Sequence, residues 1–117
     1  MKKLAIALGL SSLFAASAFA NTGYSGPGAT DPVKTAATAL QAKDDTHVVL
    51  EGHLSQKLEN ERYIFKDDSG TINVEIDDDK LPVGGVNDKT RVRLTGEVDK
   101  GLTATEVDVD VVEVLAP

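Results

Sequence analysis

Chemistry in this chain has few places to begin: two histidines, His47 and His53, no cysteine, and nineteen carboxylates against twelve lysines and arginines. A nucleophile system needs a base held against a serine or cysteine, and neither histidine lies in such a motif. Gly84-Gly85 opens no helical pattern that could cradle phosphate. The expectation is a non-enzymatic protein with no catalytic residues and no cofactor. His47, Glu51 and His53 share parity on one strand, but side chains two apart on a strand are separated by about 6.6 Å, too far for all three to close on one ion. Asp77, Asp78 and Asp79, with Asp67 and Asp68, are hard oxygen ligands suited to calcium or magnesium. Asp67-Asp68-Ser69-Gly70 has its glycine misplaced for an EF-hand and lacks the later glutamate. A divalent-cation binder using Asp77, Asp78 and Asp79 is therefore the alternative reading of function. The main reading rests on a mixed set, Glu51, His53, Arg62, Ile64, Lys66, Asn73 and Glu75, which parity places together facing outward. One aliphatic among charges and amides suits a polar glycan, a peptide or a protein partner better than nucleic-acid bases, which want aromatic platforms.

The elements that position these residues show in the period of two. Tyr63 to Asp77 reads as a hairpin: Tyr63, Phe65, Ile72, Val74 and Ile76 share one face, and Asp67 to Gly70 supplies turn chemistry. Before it, Val48, Leu50, Gly52 and Leu54 alternate with polar partners, and Gly52 marks an expected bend or bulge. After it, Val92, Leu94 and Val98 form a fourth strand whose other parity carries Arg91, Arg93, Thr95 and Glu97. Val107, Val109 and Val111 form a fifth, with a phase slip at Val111-Val112 that sets Val112 and Val114 on one face. Residues 77–88, with Pro82, Gly84 and Gly85, read as an irregular loop. Asp31-Pro32 predicts a helix start, and Val33, Ala36, Ala37 and Leu40 form its apolar stripe. Five strands and one short N-terminal helix predict an all-β barrel with Tyr63, Phe65, Ile72, Val74, Ile76, Val92 and Leu94 in one core.

Residues 1–20 carry Lys2 and Lys3, an apolar run, and Ala18-Phe19-Ala20, the pattern of a signal peptide cleaved before Asn21. That run is too short to span a bilayer, so a periplasmic product without a membrane span is expected. Residues 21–30, with Gly23, Ser25, Gly26, Pro27 and Gly28, read as a flexible tether, and residues 31–117 as the domain. Removal of the leader takes two lysines and leaves 97 residues with a formal charge of −9, which repels polyanions and argues against nucleic acid. Arg62, Lys66, Arg91 and Arg93 are the only cationic patch available for phosphate, and they share their parity with Glu75 and Glu97. A monomer is expected.

With the strands placed, several segments act as a set. Asp44-Asp45-Thr46-x-Val48-x-Leu50-x-Gly52, Tyr63-x-Phe65-Lys66-Asp67, Gly70-Thr71-Ile72-Asn73-Val74, Gly96-Glu97-Val98-Asp99-Lys100 and Glu106-Val107-Asp108-Val109, with Ser25-Gly26-Pro27 ahead of them, resemble the bacterial OB-fold (BOF) family. This is the YgiW/YdeI group of periplasmic stress-tolerance proteins. The resemblance implies a five-stranded Greek-key OB-fold barrel, no catalytic motif, export, and a role in envelope stress tolerance. It also implies that a ligand lies on the outer face of strands one to three. Members commonly carry tryptophan where this chain has Leu81 and Leu102.

Overall fold

The alternation becomes five strands: β1 (His47–Lys57), β2 (Arg62–Asp67), β3 (Gly70–Glu75), β4 (Val92–Lys100) and β5 (Thr105–Val114). These belong to a computed structural model that describes Pro27 and residues 31–115. Its contacts divide the chain into two units, Met1–Asp31 and Pro32–Pro117, and every described helix and strand lies in the second. The expected leader and, apart from Pro27, the expected tether lie outside the described residues.

The strands close in the order β1-β2-β3-β5-β4, all antiparallel except β3 with β5. Three strands follow one another through short turns and β4 returns beside β1, which is the Greek-key arrangement of an OB-fold barrel. The period of two drives this closure, because each strand has one apolar row to remove from water. All seven expected core residues are buried, and Val48, Leu50, Leu54, Val98, Val107 and Val109 join them.

Gly52 is required for a reason other than a bulge. Its neighbours stay in register, Gly52 with Val92 and His53 with Lys66, and the bulge of β1 falls at Ser55. Gly52 is where β1 passes from pairing with β4 to pairing with β2. A Cβ there would run into the Lys66 carbonyl and stand 2.8 Å from the Phe65 ring, so only glycine lets the strand curl this tightly.

The slip in β5 comes one residue earlier than its sequence suggests: Thr95 faces Val111 and Gly96 faces Val109, leaving Asp110 as the extra residue. Val111, expected beside Val107 and Val109, is therefore 48% exposed, while Val112 leans on the core. Val114 keeps the parity of Val112 but is the last residue of β5 and is exposed. Thr95, expected outward, is buried, with Val49 and Val111 as its cross-strand neighbours.

The helix also starts later than Asp31-Pro32 predicts. Val33 instead pairs with Val48 as an extra bridge, its N–H donating to the His47 carbonyl at 3.0 Å. Helix α1 (Ala36–Gln41) takes Thr35 as its N-cap, whose hydroxyl accepts from the Thr38 N–H at 3.2 Å. The β2–β3 turn decides this choice: Asp67 Oδ2 accepts from the Ala36 N–H and Ser69 Oγ from the Ala37 N–H, both at 2.9 Å. Two donors that a helix end leaves orphaned are thereby satisfied across the fold. The buried stripe is Ala36 and Ala39, whose small side chains let the backbone sit close on the core, while Leu40 and Ala37 face solvent.

Candidate functional site

The barrel brings six of the seven outward residues into three cross-strand rows. His53 faces Lys66, Ile64 faces Asn73, and Arg62 faces Glu75. His53, Ile64, Asn73 and Glu75 are half-buried, and Arg62 and Lys66 are exposed. Parity alone accounts for this, because β2 and β3 pair without interruption from Arg62–Glu75 to Asp67–Gly70.

Glu51 is drawn to the other side. Its carboxylate accepts from Arg91 at 3.2 Å and from Arg93 at 3.0 Å, and Arg93 also reaches Glu113 at 3.2 Å. The Arg93 hydrogen bond outweighs the cost of partial desolvation and holds the Glu51 carboxyl below the ordinary glutamate value. Glu51 and then Glu113 hold the Arg93 guanidinium above its own. Arg62 is committed in turn to Glu106 at 3.4 Å. Of the four cations that could have formed a phosphate patch, only Lys66 makes no ion pair among the described residues.

Beside Lys66 opens a groove lined by His53, Ser55, Lys66, Asp67, Asp68, Asp88 and Lys89. His53 and Lys66 belong to both the groove and the outward rows. Ser55 reaches the groove because the β1 bulge turns it, and Asp88 and Lys89 arrive from the loop before β4. Nothing local in the sequence marks these three, since they meet His53 and Lys66 only when the barrel closes. Asp67 plays a structural part in the groove wall. Burial works against its ionised form, but the Ser69 hydroxyl and the N–H groups of Ala36, Ser69 and Gly70 outweigh that and hold its carboxyl below the ordinary aspartate value. The Ser69 hydroxyl donates to Oδ1 at 2.6 Å and the Ser69 N–H at 2.8 Å.

The acidic run divides. Asp77 joins Glu61 and Glu75, whose carboxylate oxygens lie within 4.8 Å of one another, the one such group of three found among the described residues. Asp78 and Asp79 are not part of it; the Asp78 N–H donates to Glu61 Oε2 at 3.3 Å. Lys80 already stands 3.9 Å from Asp77, a partial countercharge. Glu61 was not legible as a ligand, because it sits in the β1–β2 turn with φ 62° and reaches Asp77 only through closure. His47 stands 4.0 Å from Glu97, away from His53 beside Lys66, so the two imidazoles do not converge. Of the two leucines at the tryptophan positions, Leu81 packs against the core and Leu102 is fully exposed.

Comparison with known proteins gives a consistent picture. The sequence model of the family described as "Bacterial OB fold (BOF) protein" matches residues 12–114. The chain is 50% identical over 93 residues to the calcium-regulated OB-fold protein CarO of Pseudomonas aeruginosa, covering 80% of each chain. It is 35% identical over 130 residues to protein YgiW of Escherichia coli K12, covering the whole of both. The solved structure of the hypothetical protein ygiW from E. coli superposes with a TM-score of 0.68 at 36% identity, over 79% of this chain and 97% of that one.

Proposed function

Because this chain belongs to the bacterial OB fold (BOF) family, we propose that it is a non-enzymatic periplasmic binding module that takes a polar envelope ligand on the outer face of β1, β2 and β3. The ligand is a glycan, a peptide or a protein segment, and its capture contributes to envelope stress tolerance. The observation that carries this reading is the coincidence of the open groove with the outward rows at His53 and Lys66. Donors on His53, Lys66 and Lys89 stand among acceptors on Asp68 and Asp88, a mixture that matches hydroxyls and amides rather than a polyanion. Tyr63 and Phe65 point into the core and there is no tryptophan, so bases find no platform there and nucleic acid is not the ligand. Export rests on the leader pattern of residues 1–20, and no helix among the described residues is long and apolar enough to cross a membrane. Mass spectrometry of a periplasmic fraction is expected to find the chain beginning at Asn21, running as a monomer; intact chain in membranes contradicts this.

A second reading has its own observation. Glu61, Glu75 and Asp77 offer three hard oxygens to a divalent cation, and a relative at 50% identity is described as calcium-regulated. Calorimetry separates the two. Binding of envelope glycan fragments that survives excess chelator and is lost in Lys66→Glu supports the groove. Heat seen only with calcium, and lost in Asp77→Asn with Glu61→Gln, supports the cation.

A further inference from the structure

β5 is paired on both sides only along its first half. β3 runs parallel to it through Asn73–Glu106, Val74–Val107 and Glu75–Asp108, then leaves, while β4 stays with it to Val114. The Leu115 N–H donates to the Arg91 carbonyl at 2.8 Å, so the backbone of residue 115 faces β4. Alternation then turns Glu113 and Val111 toward β4 and the N–H and C=O groups of Val112 and Val114 away from it. On that side no strand pairs with them, and no backbone hydrogen bond reaches them among the described residues. The 3-10 turn Asp78–Lys80 packs beside β5 but keeps its amides to itself, Lys80 N–H on the Asp77 carbonyl at 2.9 Å and Leu81 N–H on that of Asp78 at 3.3 Å. Val114 is 52% exposed here. An unpaired row of this kind is a template for another strand.

Charge selects what can add. Asp108 and Asp110 are exposed and make no ion pair among the described residues, and Asp77 to Asp79 in the adjacent turn are exposed too. A second copy is disfavoured, because each chain carries a formal charge of −7 and would bring the same exposed acids to this edge. We propose that the free side of β5 at Val112 and Val114 accepts an extended cationic peptide segment as an added strand, its basic side chains meeting Asp108 and Asp110. Main-chain bonds supply the register and the acids supply the preference.

The test is a chemical-shift titration of the chain with the acetylated, amidated hexapeptide of alternating lysine and valine. Two further peptides carry N-methyl groups on every lysine nitrogen or on every valine nitrogen, with charge and side chains unchanged. Amide shifts are expected at Val111 to Leu115. One of the two methylated peptides should bind about tenfold or more weakly, close to 1.4 kcal/mol, because one set of peptide N–H groups must face β5. The double variant Asp108→Asn, Asp110→Asn, whose folding is checked by its own spectrum, should weaken binding by a similar factor of about ten. Absence of binding, equal binding of all three peptides, or shifts centred on His53 and Lys66 overturns the proposal.

Discussion

The two outer faces of this barrel are built from the same alternation and end in opposite states. Across β1, β4 and β5 the charges are consumed: Glu51, Arg91, Arg93 and Glu113 form one ladder with contacts of 3.0 to 3.2 Å. Across β1, β2 and β3 fewer are consumed: Arg62 meets Glu106, but Lys66 makes no ion pair among the described residues, His53 and Asn73 are half-buried, and a groove lies beside them. A closed barrel needs no side-chain polar bonds on either face to hold it, since its core is apolar apart from Thr95. The difference therefore separates a surface that satisfies itself from one that has donors and acceptors to offer. Exposed ion pairs of this kind add only about 0–1 kcal/mol each, so the ladder is better understood as removing charge from competition for ligands than as holding the fold.

The largest way to break the comparison is to remove the floor beneath both faces. Phe65→Ala should cost about 3–5 kcal/mol in urea unfolding, and a loss below about 1 kcal/mol would place Phe65 outside the core. Gly52→Ala comes next, at about 1–3 kcal/mol, because its methyl meets the Lys66 carbonyl and the Phe65 ring where β1 changes partner. Asp67→Ala should cost about 1–2 kcal/mol by uncapping α1 and the turn. The pH dependence follows its sign: the folded pKa of Asp67 is lowered, so its stabilisation is complete above the ordinary aspartate value of about 3.9 and is lost as pH falls through the lower folded value. Asp67→Asn should make that acid limb shallower. At the small end, Glu51→Gln should change stability by less than about 1 kcal/mol and leave ligand binding intact. Lys66→Glu should leave stability within about 0.5 kcal/mol while abolishing binding, and only that pair of outcomes keeps the faces distinct.

Much of this was legible because it is local. Tyr63, Phe65, Ile72, Val74 and Ile76 announce their common face through spacing alone, and the turn at Asp67 to Gly70 is marked by its residue types. What the sequence hides is set by closure. Asp67 and Ser69 read as turn residues, yet they also hold the start of a helix thirty residues earlier, which moves that start from Asp31 to Thr35. Asp88 and Lys89 look like loop residues and become groove walls; Glu61 looks like a turn residue and meets Asp77 and Glu75. Glu51 had the parity of the binding rows, but its partners Arg91 and Arg93 lie some forty residues on, and only the β1–β4 register brings them to it.

The most direct measurement of the difference between the faces is an amide and side-chain shift map of the chain titrated with envelope glycan fragments. Shifts concentrated at His53, Ser55, Ile64, Lys66, Asn73 and Lys89, and absent from Arg91, Arg93 and Glu113, are the predicted result. Shifts centred on the Glu51–Arg93–Glu113 ladder, or a map in which both faces respond equally, would contradict it.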